Sequence, residues 1–495
     1  MDARPPWGLE LIRHLSTAST NPRHVAVAAI AGLAAAWAPP AAVVGAMLGG
    51  SALLVGLALP VASVAITALA VPVGAALESR YGDLPVGPAD VAALLVAGVV
   101  AARLATRRQS VLSVPAVAVA VAPFIAVLLL ESSLAPSLAA ALKATLRWVE
   151  LAVVSVCAAS LVRSRRDVLI AVGAVGASVA GQGLLGAAQF VTRTGPPSFA
   201  IGPFLRAYGT FGQPNPYAGY LAMSVPLLVA VAAICWRCLP PLGLVALVTC
   251  AGLGAAGVAM SLSRGAWIGL VAAALTVALV WSRRTRLLAG AGIVVLAVTA
   301  GASGLGLLPE SIQARIAPVL GYVRVFDARG VVPLPDTFAL VERMAHWQVA
   351  AEMFVDYPLF GVGPGHYAIA YPEYAILPYW RDPLGHAHNV YLNVAAESGV
   401  LGLLAFGLML AVWAAVWVRT VRRSARSGQP LAVAVCLGAG ASIIAAMAHN
   451  LFDNLFVHGL NVHVGVLLGL LAWSAARVAD GRRATAEGEA WAERP

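Results

Sequence analysis

Long apolar runs separated by short polar joints fill most of this chain. From about Val25 to Arg477 the runs recur at roughly 17–25 residues, the length an α-helix needs to cross bilayer hydrocarbon. Helices are expected near 25–38, 41–58, 61–77, 90–104, 111–130, 138–161, 168–190, 216–236, 241–261, 266–281, 287–307, 389–418, 430–449 and 458–477. Only Pro39-Pro40 parts the first two, so the count is put at about 12–14. One polar stretch is longer than the rest, from Pro309 to His388. The pattern predicts an all-α polytopic membrane protein with one long loop containing short helices. Its expected divisions are an N-terminal segment (1–24), transmembrane helices 1–11 (25–308), the loop (309–388), helices 12–14 (389–478) and a tail (479–495).

Composition agrees. Of 495 residues, 60% are hydrophobic and 11% charged, against about 25% charged in an ordinary globular domain. Mean hydropathy is +0.85. The net charge of +10 comes almost wholly from arginine, Lys143 being the sole lysine. In a membrane protein such charge fixes orientation, so no nucleic-acid partner is expected. Cys157, Cys235, Cys238, Cys250 and Cys436 lie in or beside apolar runs, which argues against a disulfide framework. Cys235 and Cys238 have CxxC spacing without a partner pair, and no metal site or cofactor is expected. The first 24 residues are polar and basic, so the first apolar helix is expected to act as an uncleaved anchor.

Arginine then orients the chain. With the N-terminus inside, the inner joints hold Arg103, Arg107 and Arg108; Arg163, Arg165 and Arg166; Arg237; Arg283, Arg284 and Arg286; and Arg419, Arg422, Arg423 and Arg426. The outer joints hold only Arg80, Arg193, Arg206 and Arg264. Both termini are therefore expected in the cytoplasm, with the 309–388 loop outside.

The outer face collects the candidate chemistry. "RAYGTFGQPNPYAGYLAM" (Arg206–Met223) carries Gly209, Gly212, Pro214 and Pro216 and is expected to be irregular, with amides at Gln213 and Asn215. Irregular backbone at membrane depth is tolerated where it lines a cavity; an ordinary turn is the simpler reading. In "SLSRGAWIGL" (Ser261–Leu270), Arg264 sits between two apolar helices with almost no loop. Guanidinium forks match phosphate oxygens, so Arg206 and Arg264 facing one cavity would suit a pyrophosphate; anchoring at the interface would explain either alone. On the loop, Arg343, Trp347 and Ala350 share a helical face, as in a surface-lying amphipathic helix ending at Asp356-Tyr357-Pro358. Arg343 and His346 could meet substrate, with surface solvation the simpler account of His346. The Gly361–Gly365 turn lacks the context of a nucleotide loop.

"LGHAHNVYLNVAAESGVLGLL" (Leu384–Leu404) places His386, His388 and Asn389 at the mouth of a long helix, with Glu397 about two turns on. Asn389 can cap the helix. A lone HxH is weak evidence for metal, whereas a neutral imidazole can take a proton from a hydroxyl near neutral pH. Lys143, Arg147 and Glu150 fall on one helical face, as an internal ion network or as further phosphate contacts. "HNLFDNLFVH" (His449–His458) offers Asp453 and His449 as supporting groups.

Taken in order, "RAYGTFGQPNPYAGYL", "SRGAWIGL", Arg343 with Trp347 and "DYPLFGVGPGHY", "HAHNVYLNVAAESGVLGLLAF" and "HNLFDNLF" resemble the O-antigen ligase family over roughly residues 200–460. Gln213 stands where the family pattern has asparagine and keeps the amide. The resemblance implies metal-independent transfer of a glycan from an undecaprenyl-diphosphate carrier to a glycan, lipid or protein acceptor, at the outer face of the cytoplasmic membrane. It implies an essential histidine, mapped onto His388 with His386 as fallback, and outward arginines, mapped onto Arg206 and Arg264. His386, Asn389, Asn215, Gln213, Arg343, Lys143 and Arg147 are the expected substrate contacts. A polymerase of the same family shares this chemistry. Other classes are a metal-dependent lipid-sugar transferase, whose acid would lie among Glu78, Asp83 and Asp90, and a small-anion transporter, which would carry mid-membrane charge and often a repeat.

Overall fold

A computed structural model describes residues 40–73, 79–81, 84–307, 325–334, 337–376, 380, 381, 383–424 and 427–492. The helix expected at 25–38, the N-terminal segment, Glu78, Asp83 and most of residues 309–336 lie outside them. The protein is an all-α polytopic membrane protein. Ten described helices are long and apolar enough to cross a membrane, and Gly49–Ala58, Pro60–Val73 and Ala116–Ser132 are shorter apolar segments.

The first helices are α1 (Pro40–Ala58), α2 (Pro60–Ala70), α3 (Pro88–Ala105), α4 (Ala116–Val119) and α5 (Ala122–Ser132). Two long helices follow, α6 (Leu138–Leu161) and α7 (Arg165–Thr192). Their ends obey local chemistry. Proline opens α1, α2 and α3, where the missing N–H is an orphan in any case. Ser137 and Ser164 cap α6 and α7 through their hydroxyls. Asp90 accepts from Gly87 N–H at 2.6 Å and so closes the start of α3.

Next come α8 (Pro214–Ala222), α9 (Val225–Ile234), α10 (Pro241–Met260), α11 (Arg264–Trp281) and α12 (Arg283–Gly304). Here one expectation changes. Pro214 and Pro216 do not prevent a helix; they stand in its first turn, where a fixed φ helps. The irregular backbone is confined to Arg206–Gln213.

The chain ends with α13 (Phe338–Asp356), α14 (Tyr367–Tyr374), α15 (Val390–Ser424), α16 (Pro430–His449) and α17 (Leu460–Ala492). The most buried segments are α8 with α9, α16 and the first part of α17, whereas α12 is almost wholly exposed. Around them α6 packs on α17, α7 on α10, and both α9 and α11 on α16. Two breaks shape the end that carries the histidines. Gly399 bends α15 at φ 56°, ψ −154°, and Gly361 turns at φ 62° against it. A Cβ at Gly361 would lie 2.2 Å from the carbonyl carbon of Glu397, so only glycine fits. This joint clamps the segment after α13 onto α15.

Basic groups occur at both ends of the bundle. Arg165 donates to the Cys238 carbonyl at 2.7 Å, and Arg477 donates to the Arg163 carbonyl, gathering basic groups at one end. Arg206, Arg264, His386 and His388 occupy the other, where α11 and α15 begin and α16 ends.

Candidate active site

At the histidine end a cavity of about 580 Å³ opens between α5, α6, α15 and the turn before α17. Phe124, Trp148 and Phe456 form its apolar floor, the Trp148 ring lying 4.9 Å from Phe124 and 4.5 Å from Phe456. Lys143, Arg147, Gln213, His386 and His388 reach its wall, together with Asn393, Glu397, Asn454 and His458. Helical spacing brought Lys143 and Arg147 here, one turn apart on α6. Glu150, a turn further on, instead accepts from Asn461 at 2.9 Å.

His388 is held in an unusual way. Its backbone is left-handed at φ 50°, which costs a residue with a Cβ about 1–3 kcal/mol and persists only where the surroundings enforce it. Three bonds do so. Ala387 N–H donates to Asn393 Oδ1 at 3.0 Å, Trp347 Nε1 donates to the His388 carbonyl at 3.2 Å, and Val390 N–H donates to the Asn450 carbonyl at 2.9 Å. Leu262, in the turn before Arg264, and His458, on the cavity wall, also have positive φ. Strained backbone thus collects around this site.

The side chains form a connected set. Asp453 is buried, with one carboxylate oxygen 3.4 Å from His388 Nδ1 and 3.8 Å from His386 Nε2. Burial by itself would raise the Asp453 carboxyl. The hydrogen bond from His388 and the facing imidazoles outweigh it and hold the group far below the usual carboxylate range. The His388 N–H donates to His386 Nδ1 at 3.2 Å, which places the His386 proton on Nε2, toward Asp453. Burial and the neighbouring His388 push His386 down to about 4, so it is neutral at pH 7. His388 Nδ1 faces Asp453, and its Nε2 is buried with no hydrogen-bond partner among the described residues.

Among the described residues, His386, His388 and Asp453 could also hold a divalent ion, their ligand atoms lying within 4.8 Å of one another. Coordination through His386 Nε2 would move its proton onto Nδ1, against the His388 N–H. The set suits proton transfer better than coordination.

The arginines group beside this pair rather than in the cavity wall. Arg206 donates through Nε to the Ser261 carbonyl and through a terminal nitrogen to Asn215 Oδ1, both at 2.7 Å. It is thereby tied to the turn from which Arg264 opens α11. A Cβ on the adjacent Gly265 would meet His449 Cδ2 at 2.6 Å, so that turn lies under His449. Arg343 is buried on α13, its guanidinium 6.0 Å from the Phe452 ring centre. Arg343 thus lies against the turn after His449, the segment that bears Arg206 and Arg264 packs beneath His449, and Lys143 and Arg147 line the cavity with the histidines.

Two expected contacts are engaged in structure. Asn389 Oδ1 accepts from Tyr391 and Leu392 N–H, and its amide donates to the Leu451 carbonyl, so it caps α15 and anchors it to the α16 turn. Asn215 holds Arg206. His346 departs from the simple reading of a solvated helix surface. It is buried, bonded through Nδ1 to the Tyr367 hydroxyl at 2.9 Å, and its ring lies 4.7 Å from Tyr371 and 5.4 Å from His388. Burial lowers it to about 3. Apolar spacing on α13 marked a face, but α14, which covers that face, could not be foreseen from spacing. Trp148, Asn393 and the wall position of Glu397 were likewise not foreseen. Glu397 accepts from Tyr367 N–H at 3.0 Å and helps fasten the Gly361–Gly365 turn over the cavity.

No curated protein matches the chain. Residues 249–407 match the family model described as O-antigen ligase, a segment that contains Arg264, Arg343, His386 and His388. This match, set in an all-α membrane bundle whose chemistry gathers at one end, supports assigning the chain to the O-antigen ligase family.

Proposed function

We propose that this enzyme moves a glycan from a polyprenyl-diphosphate donor, of the undecaprenyl class, onto an acceptor hydroxyl at the outer face of the cytoplasmic membrane. The observation that carries the reading is the His388–Asp453 pair on the wall of a cavity that Lys143 and Arg147 also line, with the buried His388 Nε2 left without a hydrogen-bond partner among the described residues.

His388 Nε2 takes the proton of the acceptor hydroxyl as its oxygen attacks the anomeric carbon. The bond from that carbon to the diphosphate oxygen breaks, and its electron pair leaves with the lipid diphosphate. A single displacement of this kind inverts the anomeric centre. The imidazolium formed on His388 is stabilised by Asp453. Negative charge on the departing phosphate grows as the bond breaks, and preplaced guanidinium groups contribute most at that moment. Arg206 and Arg264 are assigned this role, with Lys143, Arg147 and Arg343 as further anion contacts and His386 and Gln213 as contacts on the cavity wall. Holding donor and acceptor together supplies an entropic advantage. Positive charge concentrated at the opposite end supports placing the site outside and both termini in the cytoplasm.

The test is reconstitution with a polyprenyl-diphosphate oligosaccharide and an acceptor glycolipid, with chelator present. His388→Ala should lower transfer about 10²–10⁴-fold, the usual share of a general base, and Arg206→Gln should lower kcat. Wild-type activity in His388→Ala, or transfer that stops on chelation, would overturn the mechanism.

A further inference from the structure

The end of the bundle away from the histidines holds a second built feature. A cavity of about 600 Å³ opens there between α11, α12, α15 and α16. Arg286 and Arg422 line it beside Trp281 and Ser424, and no carboxylate is among its lining residues. Arg286 is braced by donation from Nε to the Leu279 carbonyl at 2.9 Å, leaving its terminal nitrogens for a ligand. Trp281 and Leu437 also line a neighbouring trough of about 480 Å³ between α9, α11 and α16. The walls of that trough are apolar apart from Thr285.

Arginines at one end of a membrane bundle fix orientation and need no ligand. This pair differs from the others at that end. Two guanidinium groups share one cavity with no carboxylate among its lining residues, and the cavity adjoins a hydrocarbon-lined groove across Trp281 and Leu437. An occupant matching both parts must carry an anionic group with several acceptor oxygens joined to an apolar chain. Guanidinium forks match phosphate oxygens, and basic pockets between membrane helices take anionic head groups. A soluble anion would leave the trough unused, and a zwitterionic lipid brings a cation of its own toward the arginines.

We infer that this is a binding site for one anionic diacyl phospholipid, its phosphate bridged by Arg286 and Arg422 and an acyl chain lying in the trough beside α11 and α16. The lipid braces α11 against α16, the same two helices whose far ends carry Arg264 and His449.

The experiment uses the full chain in nanodiscs of phosphatidylcholine with a minor share of phosphatidylglycerol, followed by mild extraction and native mass spectrometry. Wild type should retain one phosphatidylglycerol. Arg286→Gln with Arg422→Gln should lower that retention at least about ten-fold, as expected for losing charge-assisted bonds to phosphate. Ala274→Trp, which fills the trough and leaves both arginines, should lower it as well. Equal retention of phosphatidylcholine, undiminished retention in the double variant, or undiminished retention in Ala274→Trp overturns the inference. Since Ala274 lies on the exposed side of α11, that variant keeps the test decisive if the arginine variant does not fold.

Discussion

Replacing Asp453 with asparagine is the sharpest test of how the histidine end works. The side chains are nearly isosteric, so the change removes charge and leaves shape. Asp453 faces His388 Nδ1 at 3.4 Å and is buried, so its effect on an imidazolium is little screened. A hydrogen bond to a charged partner contributes about 1.5–3 kcal/mol. The pair is in contact before proton transfer; what asparagine removes in the transition state is the carboxylate's added attraction for the imidazolium, taken as about the same 1.5–3 kcal/mol. At about 1.4 kcal/mol per factor of ten, kcat should drop roughly 10–150-fold, with the donor KM little changed. Initial rates of glycan transfer over a range of donor concentrations, from protein in nanodiscs, measure both quantities. A thermal unfolding scan on the same samples separates a folding defect from a catalytic one. The double variant Asp453→Asn, His388→Ala supplies the internal control: a residue acting through His388 adds no loss once His388 is gone. Threefold or smaller loss in Asp453→Asn, or losses that multiply in the double variant, would refute the assignment of Asp453 as the positioning residue of His388.

Further outcomes follow from the same geometry. Gly361→Ala should cost about 2–4 kcal/mol, combining left-handed strain with overpacking against Glu397, read as a fall in thermal midpoint. Lys143→Gln or Arg147→Gln should raise the donor KM about ten-fold with a smaller change in kcat, as for loss of a charge-assisted contact. Acid should destabilise the folded chain through His386 and His346, whose folded values of about 4 and about 3 lie below the ordinary 6.5. Because the unfolded chain binds those protons first, their contribution is complete above about pH 6.5 and is lost as pH falls toward about 4. Unfolding midpoints between pH 7.5 and 4.5 should fall for wild type and fall less for His346→Gln, and a flat wild-type profile would count against burial of these imidazoles.

Legibility was uneven, for physical reasons visible in single residues. The span near 138–161 coincides with α6 because an apolar run bounded by Ser137 and the turn after Leu161 carries both its length and its cap. Lys143 and Arg147 were legible as one face of that helix, but not as a cavity wall, since a face acquires a role only from what lies opposite. Asp453 could be seen as a polar group in an outer turn. Its partnership with His388, sixty-five residues earlier, depends on the α16 turn folding back beneath α15. His346 was misjudged because nothing in the α13 pattern reveals that α14 lies over it.

Sequence alone determined what local rules and the bilayer enforce: the membrane class and most of the long apolar helices, though the run expected at 111–130 breaks into Ala116–Val119 and Ala122–Ser132 and the last helix extends beyond 477. Those follow from backbone groups that must satisfy themselves in hydrocarbon and from charge that stays out of it. Tertiary structure alone decided which polar groups meet. It brought His386, His388 and Asp453 within reach of one another, turned Arg206 toward the α11 turn, and enclosed a cavity over Trp148. Contacts between helices far apart in the chain depend on small residues, kinks and close approaches such as Gly265 against His449. Hydrophobic periodicity carries no record of these, because every face of such helices is already apolar.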